Sequence, residues 1–194
     1  MKLFLKFSLI IFSILIISCK DKNNTPPAPP PVDPNEALMD TVQMQTFKFF
    51  WDDAVPSSGM IRDRNGTSIV TSGGSGFGMM AILVGIERGF ITHDEGLERI
   101  TKMVNFCETA DRFHGAWPHW MNGVTGKVIP FSQYDDGGDL VETAFLIQGM
   151  LTAQAYFSGN TVAEEELRSK IQVLWEGVEW DWYRQGWQDA LYLL

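Results

Sequence analysis

Residues 139–177 read DLVETAFLIQGMLTAQAYFSGNTVAEEELRSKIQVLWEG. Two apolar runs at helical spacing flank Gly159-Asn160, so this stretch predicts a helix from Asp139 to about Phe157 and another from Asn160 to about Gly177. A link this short makes them an antiparallel pair. The same period recurs upstream. Asn35 is placed to cap a helix running to Trp51, and GFGMMAILVGIE (residues 76–87) is apolar on nearly every side and reads as a buried helix. Thr92-His93-Asp94-Glu95 is a capping box that opens a helix to about Ala110. Between these helices lie two irregular Gly-rich stretches, residues 55–76 and 111–138, the second with a hairpin expected around Asn122–Gly126. The reading is all-α: five helices with two long loops, which are the places for function on such a scaffold.

Composition agrees with a folded chain. Of 194 residues, 45% are hydrophobic and 20% are charged. The net charge of −9 argues against a nucleic-acid binder, whose affinity comes mainly from clustered Lys and Arg, so no nucleic-acid partner is expected. Two cysteines make no disulfide framework. Cys107 falls in a helical pattern and reads as a buried, inert thiol.

The N-terminus has its own logic. Lys2 and Lys6 precede an apolar run from Phe7 to Ile17, which ends in Ile16-Ile17-Ser18-Cys19. A basic start, a short apolar core and a small residue before the cut define a signal peptide over residues 1–18. Ile-Ile-Ser-Cys resembles a bacterial lipobox, which makes Cys19 the lipid-bearing residue of an exported lipoprotein. The expected location is a bacterial membrane, the periplasmic or surface face of the outer membrane. Residues 19–34 hold six of the nine prolines, all within Pro26–Pro34, and form an extended spacer. The folded domain is expected over residues 35–194.

Chemistry concentrates in Tyr134-Asp135-Asp136-Gly137-Gly138-Asp139-Leu140-Val141-Glu142. Asp139 as N-cap with Glu142 at the third helical position reproduces a capping box, which accounts for those two acids as helix-end residues. It leaves Asp135 and Asp136 unexplained, and clustered carboxylates repel one another unless they bind something. His114-Gly-Ala-Trp117-Pro-His119-Trp120 is open to two readings, a sugar-stacking loop or aromatics plugging the core. The same holds for Trp180-Asp-Trp-Tyr183-Arg184. SGGSGFG (residues 72–78) fits neither GxxxxGK[ST] nor GxGxxG and has no preceding strand, so its glycines serve close approach rather than phosphate. The three histidines show no metal-ligand spacing, and neither metal nor cofactor is expected.

Five stretches together carry a resemblance: GMIRDR (59–64), GSGFGMMAILVGIERGF (74–90), WPHWMNGVTG (117–126), PFSQYDDGGDLVETAF (130–145) and WDWYR (180–184). In this order they resemble the glycoamylase-like family of Bacteroidetes glycoside hydrolases, which includes endo-β-1,2-glucanases. The resemblance implies an α/α toroid of six helical hairpins and hydrolysis of a β-linked glucan, β-1,2-glucan foremost, by inversion. It implies an acidic site in the toroid's mouth, with Asp139 and Glu142 as catalytic carboxylates. Asp135 and Asp136, with Arg62, His119 and Trp120, are then substrate contacts. Five helices are fewer than twelve, so the chain is expected to be an N-terminal part of that fold. Asp139 and Glu142, three apart on one helix, place their Cβ atoms about 5–6 Å apart. An inverting acid/base pair needs roughly 6.5–9.5 Å. The two are therefore expected to position water or grip hydroxyls, with another catalytic carboxylate beyond Leu194. The alternative function is a non-catalytic glycan-binding lipoprotein that stacks sugars on Trp117 and Trp120.

Overall fold

The computed structural model describes residues 33–133 and 136–186. The expected signal peptide, the lipidated Cys19, most of the proline spacer, Asp135 and the residues after 186 lie outside the described residues. Five helices account for most of the described unit: α1 (Pro34–Asp52), α2 (Ser72–Glu87), α3 (His93–Thr109), α4 (Leu140–Tyr156) and α5 (Val162–Glu176). Two three-residue strands, β1 (Ile69–Thr71) and β2 (Trp120–Asn122), and a 3-10 turn at Trp182–Arg184 complete it. The all-α reading holds. Among the described residues, no helix is long and apolar enough to cross a membrane.

Local rules explain most helix ends. At α3 the Thr92 hydroxyl accepts from the Glu95 amide while Glu95 reaches back to the Thr92 amide at 2.7 Å. At α5 Thr161 and Glu164 make the same reciprocal bond, so Thr161 is the cap and the helix opens at Val162, two residues later than Asn160. Two ends differ from expectation. Helix α1 starts at Pro34 and takes Asn35 inside it, since proline at a helix start forfeits an amide that has no intrahelical partner there. Helix α2 starts at Ser72, not Gly76, so the glycine-rich run is the first turn of a helix rather than a loop.

The glycines are there because α2 and α4 touch backbone to backbone. A Cβ on Gly76 would lie 2.1 Å from the Phe145 carbonyl oxygen, and one on Gly149 would lie 2.3 Å from the Gly76 carbonyl oxygen. No larger residue fits at either position. Around this pair, Phe47 of α1 packs on Gly85, Ile86 and Ile82 of α2 pack on Gly96 of α3, and α5 packs on α3 and α4. The turn between α4 and α5 is held by Arg168, whose Nη1 donates to the Phe157 and Gly159 carbonyls at 2.6 and 2.8 Å. The core includes Met79, Ile82, Met103, Val104, Leu146, Met150, Leu167 and Ile171, all fully buried.

The two loops are joined to each other. β1 from the first pairs antiparallel with β2 from the second, in register Ile69–Asn122, Val70–Met121 and Thr71–Trp120. Bridges from Arg62 to Val70 and from Met121 to Val128 extend the row on both sides. The expected hairpin closes there: the Asn122 amide donates to the Lys127 carbonyl at 2.8 Å and the Gly126 amide donates back to Asn122. One ladder therefore fastens both loops beside the N-termini of α2 and α4.

Candidate active site

Helix α4 begins with its own cap. Asp139 Oδ1 accepts from the amides of Val141 and Glu142 at 2.9 and 3.0 Å. Its second oxygen, Oδ2, faces the His119 Nδ1 at 3.1 Å. Glu142 does not complete a capping box, in contrast to the sequence reading. The Asp139 amide donates instead to the Trp117 carbonyl at 2.8 Å, which leaves nothing at the N-cap for Glu142 to accept. Glu142 Oε2 crosses to α2 and accepts from the Gly73 amide at 2.8 Å. That helix needs it, because its N-cap residue Thr71 makes no side-chain capping bond. Two acids from one turn of α4 thus close two adjacent helix N-termini, where partial positive charge stabilises anionic oxygens.

His119 and Trp120 reach this point on the loop ladder. The His119 ring meets Trp120 edge-on, with centroids 5.4 Å apart, and Phe131 packs on Trp120 at 4.8 Å. Phe131 is exposed, and the buried Trp120 Nε1 has no hydrogen-bond partner among the described residues. The result is a half-open aromatic corner beside two carboxylates, the combination that holds a sugar ring by its faces and its hydroxyls.

The other expected residues are placed differently. Asp136 is exposed and lines a pocket of about 430 Å³ with Asp111, Arg112 and Phe113. Arg62 spends its guanidinium within its own loop, donating to the Asp53 carbonyl at 2.8 Å and to the Thr67 carbonyl. Trp117 is a correction: it is fully buried and its indole donates to the Cys107 carbonyl at 3.1 Å, so it offers no face to a sugar. Tyr183 of the Trp180–Arg184 stretch is likewise core, donating its hydroxyl to the Phe113 carbonyl. Burial pushes its phenol up to about 12, aided by the nearby Glu179 charge. His114 stacks flat on Trp182 at 3.7 Å and meets Glu179 at 2.8 Å, and so pins the second loop to this turn. Cys107 is buried, and burial raises its thiol to about 12, which removes it as a nucleophile at neutral pH.

Sequence reading missed Ser72, Gly73 and Thr143. Gly73 sat in a visible glycine run, but nothing local marks it as a hydrogen-bond donor to residue 142. Among the described residues, no group of three or more His, Cys, Asp or Glu is placed to hold a metal ion.

No protein-family model matches the chain. Individual proteins do. An exo β-1,2-glucooligosaccharide sophorohydrolase (non-reducing end) of Parabacteroides distasonis is 48% identical over 162 residues, which are 82% of this chain and 22% of that protein. The crystal structure of an endo-β-1,2-glucanase from Chitinophaga pinensis, in complex with sophorotriose and glucose, is 53% identical. It superposes with a TM-score of 0.79 over 81% of this chain and 40% of that one. A provisionally assigned glucoamylase of Bacteroides caccae gives 53% identity and a TM-score of 0.79 over 82% and 41%. The chain spans about two fifths of the length of these solved structures and less than a quarter of the curated relative. Over most of its own length, then, this chain is a homologue of the glucoamylase-like proteins and β-1,2-glucan hydrolases of Bacteroidetes, matching one part of them.

Proposed function

We propose that the chain carries part of the active site of a glycoside hydrolase acting on β-1,2-glucan. The observation that carries this reading is the paired placement of Asp139 and Glu142 beside the His119–Trp120 corner. The kinship with a β-1,2-glucanase crystallised with sophorotriose supports the choice of substrate. Each carboxylate is held by backbone amides through one oxygen. Glu142 Oε1 accepts no hydrogen bond among the described residues, and Asp139 Oδ2 meets only an imidazole. Such oxygens grip sugar hydroxyls or orient a water for attack on the anomeric carbon. The i,i+3 spacing of the two acids is shorter than the roughly 6.5–9.5 Å that an inverting acid/base pair spans, so the proton for the leaving group comes from another acid.

Release of reducing ends from linear β-1,2-glucan by the full chain is the test. Asp139→Asn and Glu142→Gln are expected to lower release by about 10²-fold, as misplacing a reacting group does. Wild-type turnover in both variants removes these residues from the reaction. Binding of sophorotriose with no release, in a protein that spans the whole length of these relatives, supports the glycan-binding alternative, which the acceptor-only geometry of the two acids also allows.

The reading extends to location. The Ile-Ile-Ser-Cys stretch supports export and lipid attachment at Cys19. Labelled palmitate should enter the wild-type chain in a bacterial host and not Cys19→Ser; equal labelling of both disproves it.

A further inference from the structure

We infer that Thr143 and Ser72 are positioning residues, a two-sided clamp that sets where the catalytic loop carries His119. This rests on the proposed function only in what the positioned groups do; the clamp itself has its own test. Both hydroxyls belong to fully buried residues. Thr143, one residue past Glu142, makes a reciprocal bond with the loop: its Oγ1 accepts from the Trp117 amide at 2.9 Å and donates to the Trp117 carbonyl at 3.2 Å. That carbonyl also accepts from the Asp139 amide at 2.8 Å, so one peptide ties the loop to both the cap and the first turn of α4.

Ser72 does the same from α2. Its Oγ donates to the Pro118 carbonyl at 2.6 Å and its amide donates to the His119 carbonyl at 3.2 Å. Residues 117, 118 and 119 are thus held in succession by side chains or amides at the starts of two different helices. A buried hydroxyl without a partner is costly, and among the described residues each of these hydroxyls is satisfied by this loop segment alone. The consequence is geometric. His119 Nδ1 lies 3.1 Å from Asp139 Oδ2 because the backbone on its N-terminal side cannot drift from α4, and its own carbonyl cannot drift from α2.

Thr143→Val keeps the shape and removes the hydroxyl; Thr143→Ser restores it; Ser72→Ala tests the other jaw. Thr152→Val, which removes a hydroxyl bonded to the Gln148 carbonyl on the same helix, is the control. The expected result for Thr143→Val is a shift of the His119 ring resonances and lost exchange protection of the Trp117 amide. In glucan hydrolysis kcat falls about 10- to 100-fold with KM nearly unchanged, because the loss is of orientation rather than of binding groups. Ser72→Ala shifts the same His119 resonances, Thr143→Ser returns both readouts toward wild type, and Thr152→Val moves neither. Wild-type His119 resonances in both Thr143→Val and Ser72→Ala overturn the clamp. If Asp139→Asn and Glu142→Gln leave glucan release intact, the proposed function fails instead, and the resonances still decide the clamp.

Discussion

Replacing Gly76 by alanine sets two known effects against each other. Alanine in a helix interior is better than glycine by about 1 kcal/mol, so an exposed site would gain stability. At Gly76 the new methyl would lie 2.1 Å from the Phe145 carbonyl oxygen, 2.6 Å from its carbon and 2.8 Å from the Leu146 Cα. All three are backbone atoms of α4, so no side chain can turn away. Real Cβ contacts stay beyond 3.0 Å, so the helices must part by about 0.9 Å at this point. Overpacking of this kind costs roughly 1–3 kcal/mol, and Gly149 seated on the Gly76 carbonyl blocks a sideways slip, which argues for the upper end. The net expectation is a loss of about 2 kcal/mol. For a unit of this size that lowers the melting temperature by about 4–8 °C. The same parting acts one turn away, where it pulls the Gly73 amide from Glu142 Oε2, so glucan release should fall too. Gly74→Ala is the matched control. Its methyl meets only the Thr71 side chain, which can rotate, and the variant should melt at or slightly above wild type. Thermal melts followed by circular dichroism decide it: a Gly76→Ala chain as stable as wild type refutes the backbone contact as the reason for the glycines.

Three further outcomes follow from single sites. Asp139→Ala should cost about 1 kcal/mol in urea unfolding through the lost cap, while Asp139→Asn, which caps as well, should cost little; equal losses would mean that the cap is not what Asp139 contributes to stability. The Glu95 carboxyl is held below its ordinary value by bonds from the Thr92 amide and hydroxyl, and Glu164 by the Thr161 hydroxyl. A lowered folded value stabilises the chain above the unfolded value, and that part is lost as pH falls through the folded one. The stability gap between wild type and Thr92→Ala or Thr161→Ala should therefore shrink below pH 4.5, and a gap independent of pH contradicts it. In a Cys19→Ser background, Cys107 should react with a disulfide reagent at pH 8 only as fast as the chain unfolds, and a rapid native-state reaction counts against its burial.

Helix α3 was legible because its information is local: Thr92 and Glu95 supply each other's bonds within three residues, and the structure uses that box. Thr161–Glu164 is a second box of the same kind, which the expected start at Asn160 passed over. The start of α2 was not legible. SGGSG reads as a loop because glycine is a poor helix former, and what makes it helical is α4 lying against it. The β1–β2 ladder was invisible for a related reason: each strand has three residues, too few for an alternation to register, and their partners are about fifty positions apart.

The site divides along the same line. Asp139 is an N-cap in both readings, but Asp139 with Glu142 has the spacing of a capping box whether or not one forms. What decides is the Trp117 carbonyl, which takes the Asp139 amide and so leaves the carboxylate of Glu142 to the uncapped end of α2. A structural role for these acids and a catalytic one are therefore not rivals. One oxygen of each is spent on helix ends, and that fixes the direction in which the other oxygen points. The same accounting sorts the tryptophans. Trp117 spends its indole on the Cys107 carbonyl and vanishes into the core, while Trp120, paired with Thr71 on the opposite face of the strand from the core residue Met121, keeps its donor unspent among the described residues, beside His119. Sequence spacing shows which residues are near one another; only the count of satisfied backbone groups shows which of their atoms remain for a substrate.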